Sequence, residues 1–367
     1  KMEIFYQYLE TISENFFDPK KRVFLGYLFS AFLISFIWLT FVKKEKIKQS
    51  IYKIFDKKIF MSKSAKADYV LFLLNIIILM FLSPLLISQL AIAHFVFEYL
   101  HSQTILTPLG VDTNYMWMIP IFFTFCYFVL DDFTKYVTHA LMHKVPLLWE
   151  IHKTHHSART LTPLTIFRTH PIEGVIFVVR SAFTQGIVIA TFYYVYGGNI
   201  TFVTILGANL FSFWFHLFGS NLRHSHIRIN YWSWLEKIFI SPAQHQIHHS
   251  IKKEHHNKNF GVAFAFWDYM FGSLYISKSN EDVKFGISES EHKYENNIIY
   301  LYLSPLIGIY KLITNYVSSK MSKLKNKNLY LINKLGNKKY ENQYIISACN
   351  NIYFKCSKCK KFKYLLS

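Results

Sequence analysis

The chain has 367 residues, 52% of them hydrophobic and 19% aromatic, with a formal net charge of +19. So apolar a composition argues against two soluble cores and for a single membrane-embedded unit. In a soluble protein the charge would suggest nucleic acid, but here the lysines flank apolar spans and crowd the C-terminus, and no ribonucleoprotein motif or zinc finger is present; nucleic acid is excluded, and anionic lipid headgroups are the expected counter-charge.

Residues 1–22 are mixed in charge, and residues 23–42 carry no charge over about 20 residues, the length of helix that crosses a hydrocarbon core. A basic segment, 43–66, follows in place of a small-residue cleavage site. The first helix is therefore expected to remain as an anchor, with 43–66 as a cytoplasmic loop. Residues 69–100 are apolar for longer than one perpendicular span requires and should tilt or break near Ser83-Pro84. Residues 101–115 have no Lys or Arg and suit the far side. Residues 116–130 then cross back and run into DDFTKYVTHALMH. Residues 172–196, interrupted by Arg180, and 200–217 read as an outward and returning pair joined at Gly197-Gly198-Asn199. This places every histidine-rich segment on the cytoplasmic face. An interfacial stretch, 298–313, precedes a Lys- and Asn-rich tail, 320–367, read as a solvated or membrane-surface extension. The expected fold is all-α, a polytopic membrane helical bundle with a cytoplasmic-facing, histidine-rich metal-binding cap.

The chemistry is concentrated in histidine. His152, His155 and His156 form an H-x-x-H-H word that recurs as His245, His248 and His249, and His139 and His143 stand four apart in HALMH. On a helix, positions i, i+3 and i+4 share a face, so each set can converge. Eight imidazoles exceed what one metal uses, and no cysteine lies near them as a structural zinc site would favour; two metals, or one with a large surrounding shell, are implied. Imidazole suits iron, zinc, copper and nickel alike. His94, His101 and His292 stand alone and read as packing or interfacial residues, His255 and His256 as a charged loop. The four cysteines, Cys126, Cys349, Cys356 and Cys359, are too few and uneven for a disulfide framework, and Cys356-x-x-Cys359 lacks the second pair of a zinc site.

From about Asp131 to Tyr275 the chain resembles the membrane fatty acid hydroxylase and sterol desaturase superfamily, through HALMH, LLWEIHKTHHS, FRTHPIE, NLRHSH, ISPAQHQIHHS and HHNKNFGVAFAFWDYMFGSLY in that order. Ser273 stands where that family commonly has threonine. The resemblance implies that His139, His143, His152, His155, His156, His245, His248 and His249 coordinate two iron ions. It adds a further histidine or two, with His224 favoured and His216 or His226 as its partner. Asp132 and Glu173, with His170 beside the latter, would stand behind the ligands, since ligating imidazoles usually donate their other N–H to a carboxylate or carbonyl. Trp267-Asp268 would latch the last helix to the metal domain. The implied domains are N-terminal membrane helices (1–115), the catalytic domain (116–276), and the interfacial segment with the tail (277–367).

The implied function is an integral membrane oxygenase that uses O2 to hydroxylate or desaturate a sterol or fatty-acyl C–H bond. With no G-x-G-x-x-G loop and no recognisable haem-binding domain, electrons would come from a ferredoxin or b-type cytochrome with its reductase, and a basic face suits an acidic donor. Two rivals are a histidine-rich metal transporter or sensor, which would need polar residues inside the spans, and a non-catalytic family member.

Overall fold

Helices that lie in hydrocarbon must satisfy their backbone internally and present apolar side chains outward. In the computed structural model, which describes residues 2–86, 88–103, 116–197, 200–279, 281–288 and 296–336, four helices are long and apolar enough to cross a membrane: Leu25–Val42, Lys63–Leu82, Pro171–Tyr196 and Ile298–Lys327. The described chain is mostly helical. Residues 1–309 form one compact unit and 310–367 a second, of which 310–336 are described and helical. His292, Cys349, Cys356 and Cys359 lie outside the described residues.

After α1 (Met2–Phe17), α2 (Leu25–Ile37) continues into a π-helical turn, Trp38–Val42. Its Leu25, Phe29, Leu33, Ile37 and Phe41 are exposed at four-residue spacing, while Tyr27, Ala31, Ser35 and Leu39 are buried. The buried stripe packs lengthwise: Ala31 and Leu39 join Ile54, Leu222, Ile227 and Ile229 in one apolar cluster. Both flanks of α2 also reach the same short segment. Arg22 Nη2 donates to the Ser220 carbonyl at 3.2 Å, and His226 Nε2 donates to the Lys53 carbonyl at 2.7 Å. The expected apolar helix over 23–42 is present at span length, and its inner face is apolar enough to pack along the segment that bears His224. The basic loop is corrected: residues 43–66 contain α3 (Ile47–Ile54) and α4 (Lys57–Phe60), the latter capped by Asp56, which accepts from the Lys58 N–H at 2.8 Å.

Ser62 starts α5 (Lys63–Leu82) by accepting from the Ala65 N–H at 3.0 Å. The expected break comes at a 3-10 turn, Ser83–Leu85, where Pro84 withholds its N–H, and α6 (Gln89–Ser102) follows. α7 (Met118–Lys144) is one uninterrupted helix that joins the apolar 116–130 to the first histidines. Asp131, Asp132 and Lys135 sit within it, and it is absent from the four span-length apolar helices. Pro146 opens α8 (Pro146–His156), and His170 caps α9 (Pro171–Tyr196), accepting at Nδ1 from the Ile172 N–H at 3.2 Å. α6 lies close against α9 at Gly186, where a Cβ would come within 2.7 Å of Ile92.

The returning span expected over 200–217 is not a helix of that length. It is a two-stranded hairpin, β1 (Thr204–Ile205) with β2 (Ala208–Asn209), followed by the eight-residue α10 (Leu210–Leu217). Leu206 and Gly207 turn through positive φ, and Asn209 caps α10 with its side-chain oxygen, so the local chemistry ends one element and starts another. The segment still runs back along α7. Val203 N–H donates to Thr124 Oγ1 at 2.9 Å, and Phe125 and Phe128 pack on Phe211 and Phe215 with centroids 5.4–6.4 Å apart. α11 (Pro242–His248), α12 (Phe266–Met270) and α13 (Ile298–Gly336) complete the described helices, so the first part of the expected tail is helical.

Candidate metal centre

Four elements bring nine histidines together: the end of α7, α8, the 3-10 turn Ser220–His224, and α11 with the residue after it. α11 is set by a capping box in which Ser241 Oγ accepts from the Gln244 N–H at 3.1 Å and Gln244 Oε1 accepts from the Ser241 N–H at 3.0 Å. Buried Glu236 receives the Ser241 hydroxyl at 2.6 Å.

The nine fall into two groups. His139, His143, His152, His156 and His248 form one, and His155, His224, His245 and His249 the other, with the nearest ring nitrogens in each within 4.8 Å of one another. Each H-x-x-H-H word is therefore divided, and crosswise. The i and i+4 members of the first word, His152 and His156, serve the first group and His155 the second; His245 and His249 serve the second and His248 the first. The expectation that each word points to one place is corrected: i and i+4 stay within about 40° of each other around a helix, whereas i+3 lies on the other side of i, so one helix feeds two sites.

Three rings have their protonation fixed by a partner behind them. His139 Nδ1 donates to the Phe260 carbonyl at 2.8 Å, His248 Nδ1 to the Lys258 carbonyl at 2.8 Å, and His152 Nδ1 to Glu173 Oε1 at 2.9 Å. A neutral imidazole that donates from Nδ1 has a bare lone pair on Nε2. The Nε2 atoms of His139 and His248 nevertheless face each other at 3.0 Å, and those of His152 and His156 at 3.2 Å. In the second group His224 Nε2 lies 3.1 Å from that of His155 and 3.0 Å from that of His245, while both ring nitrogens of His249 are buried without a partner. Facing lone pairs repel, and a cation shared between them relieves the repulsion. The donor set is all nitrogen, buried and pre-oriented, and it fits two transition-metal ions.

Burial, reinforced by neighbouring imidazoles, holds the pKa values of His155, His156, His245 and His249 well below the ordinary 6.5, and burial brings His248 down to about 3. In the metal-free protein these rings stay neutral at pH 7. Below pH 6.5 the unfolded chain binds protons that the folded chain refuses, so stability falls as pH falls. The unfolding free energy of metal-free protein is expected to be level above neutrality and to drop between pH 6.5 and roughly 5 by up to about 1.4 kcal/mol per pH unit for each such ring, read as a falling thermal midpoint. A midpoint flat across that interval would contradict the burial described here.

The remaining predicted residues separate. Glu173 accepts from His152 Nδ1. Asp132 touches no histidine; its carboxylate accepts from the Ala263 and Phe264 N–H groups at 2.8 and 3.1 Å and from the Trp267 indole at 3.0 Å, because its side chain leaves α7 towards the 263–267 backbone. His170 is occupied as a helix cap and donates from Nε2 to the Tyr302 carbonyl at 3.1 Å. His216 and His226 lie outside both groups: the first is hydrogen-bonded through Nδ1 to Ser220 Oγ at 2.7 Å, the second is drawn away to Lys53. Asp268 accepts from the Phe260 and Gly261 N–H groups and from Ser273 Oγ at 2.6–2.8 Å, so with Trp267 it does latch the last motif. Buried His255 pairs with Glu281 at 2.9 Å, away from the nine.

A cavity of about 420 Å3 opens beside both groups, bordered by His139, His152, His155, His224 and His245 and by Phe128, Phe215, Arg22 and Arg223. Sequence reasoning missed the two arginines. Arg223 adjoins His224 within NLRHSH and was within reach; Arg22, some 200 positions earlier, carried no signal.

A profile of the fatty acid hydroxylase family matches residues 124–273. Among curated proteins, alkylglycerol monooxygenase of Caenorhabditis elegans is 23% identical over 219 residues, 60% of this chain and 38% of that protein. Human alkylglycerol monooxygenase is 25% identical over 164 residues, 45% and 33% of the two lengths. Ornithine lipid hydroxylase of Rhizobium tropici is 24% identical over 160 residues, 44% of each chain. The chain thus spans less than half the length of these relatives. No solved structure matches it.

Proposed function

We propose, from the match of residues 124–273 to the fatty acid hydroxylase family, that this chain is an integral membrane lipid oxygenase with two iron ions. His139, His143, His152, His156 and His248 would hold one ion, and His155, His224, His245 and His249 the other. When bound, the metals supply what no side chain here can, activation of O2 and oxidation of an unactivated C–H bond. The observation that carries the reading is the pair of bare Nε2 atoms of His139 and His248 facing each other at 3.0 Å, each held in that state by a carbonyl behind it.

The chain's own residues perform the positioning. Phe260 and Lys258 carbonyls and Glu173 set the tautomers of three rings. Asp132 of α7 holds the Ala263 N–H, and Asp268 ties the Phe260 and Gly261 N–H groups back within the same segment, so the Phe260 carbonyl keeps its place. Phe128, Phe177 and Phe215 give part of the cavity wall an apolar face that favours a hydrocarbon segment against it. The substrate is a lipid hydroxylated or desaturated near the histidines. Electrons come from an external carrier, a ferredoxin or b-type cytochrome with its reductase, and the chain's excess of lysine suits an acidic one.

Protein purified from iron-supplemented cells in mild detergent should contain close to two irons per chain, with exchange-coupled Mössbauer signals, and should give an O2-dependent lipid product when supplied with electrons. Zinc alone, or no bound metal after iron-replete preparation, would sink the proposal.

A further inference from the structure

Arg22 and Arg223 border the histidine cavity, and neither forms an ion pair among the described residues. Arg22 Nη2 donates to the Ser220 carbonyl at 3.2 Å and stands 3.3 Å from His224 Nδ1, while its Nε is buried without a partner. Arg223 donates from Nε to the same Ser220 carbonyl at 3.2 Å and from Nη1 to the Val262 carbonyl, with its guanidinium 4.9 Å from the Phe215 ring centroid. Two guanidinium cations thus meet at one carbonyl oxygen.

The carboxylates on the same wall are committed elsewhere. Asp131 pairs with Lys135 at 2.6 Å and with Arg180 at 2.8 Å, Asp132 holds backbone N–H groups and an indole, and Glu173 holds His152. Lys20 borders the cavity as a further cation. His224 sharpens the imbalance. If it ligates a metal through Nε2 its proton sits on Nδ1, and that N–H then points at Arg22, which has only donors to offer. Donor faces donor, and both lack an acceptor.

We propose that Arg22, Arg223 and the Nδ1–H of His224 form a cradle for the anionic group, carboxylate or phosphate, of the lipid substrate. The hydrocarbon chain occupies a second, aromatic cavity of about 740 Å3, which shares Phe128, Phe215, Arg223 and Ala263 with the first and is bordered by Phe211, Trp214 and Phe264. The inference rests on the oxygenase reading for the word substrate, and it adds a regiochemistry: with the anion held at a metal-ligating ring, the oxidised carbon lies within a few bonds of the charged end.

Binding of hexadecyl phosphate and of palmitate is compared with that of hexadecanol on the purified full chain in mild detergent, metal-free and again loaded with redox-inert zinc. The anionic amphiphiles are expected to bind about tenfold or more tightly than the alcohol in both forms, as loss of a charge-assisted contact would give. Arg22→Gln should erase the difference at unchanged zinc content, and Arg22→Lys should keep part of it. Equal affinity for acid and alcohol in the wild type would overturn the cradle even if Arg22→Gln failed to fold, as would a difference that survives in Arg22→Gln. Inorganic phosphate displacing hexadecyl phosphate at matched concentration would reassign the site to a soluble anion and overturn its lipid assignment. Because binding is read without turnover, failure of the oxygenase reading shows separately, as absent O2-dependent product with the binding difference intact.

Discussion

Lipid oxidation in a His248→Ala variant is expected to fall by more than about 100-fold, because even removing a residue that merely orients a ligand costs 10–100-fold in metal affinity or activity. His248 is nearly inaccessible, donates from Nδ1 to the Lys258 carbonyl at 2.8 Å, and sets its Nε2 3.0 Å from that of His139. Its ring lies 4.7 Å from those of both His143 and His156, so its loss opens the middle of the five-histidine group. Bound metal should drop below two per chain. His226→Ala is the control: it removes the same chemical group from the same cap, but from a ring that donates to Lys53 and belongs to neither cluster. Wild-type turnover and metal content in His248→Ala would refute the assignment of the first group, and equal losses in both variants would point to a general effect on the cap.

The second large effect is on stability. Arg168 is fully buried, and its Nη1 pairs with buried Asp68 at 3.0 Å while its Nε donates to Ser157 Oγ at 2.9 Å and to the Thr154 carbonyl at 3.3 Å. Asp68 also accepts from Thr165 Oγ1 at 2.7 Å. The pair ties α5 to the turn between α8 and α9, and thus to the two helices that supply His152 and Glu173. Asp68→Ala removes the carboxylate that pairs with a buried guanidinium and is expected to destabilise the protein by about 3–5 kcal/mol, read as a lowered unfolding midpoint. The double variant Asp68→Ala with Arg168→Met removes both charges and should recover much of that loss. A double variant as unstable as the sum of the two single changes would mean that the charges are not coupled.

The helices were legible where periodicity and composition agree. The break at Ser83-Pro84, the continuity of α7 into HALMH and the start of α9 at Pro171 follow from proline chemistry and apolar length. The 200–217 segment misled because a run of apolar residues looks the same whether it forms one long helix or a hairpin and a short one; Asn209 and Gly207 decided the matter locally. All nine histidines found in the two groups were identifiable from spacing and resemblance. Their division was not, because it depends on where the facing helix stands. His216 and His226 were named because the resemblance calls for a further histidine or two before the last box, and each is claimed by a nearer polar partner. Arg22 was invisible for a simpler reason: a single arginine before an apolar helix reads as a flanking charge, and only the packing of α2 along 222–229 brings it to His224.

The crosswise division of the two H-x-x-H-H words has a thermodynamic consequence. α8 and α11 each contribute to both groups, so neither helix can rotate or slide to suit one ion without moving ligands of the other. Under the two-ion proposal the two uptake steps are therefore expected to be coupled, visible as a metal titration that departs from two independent steps.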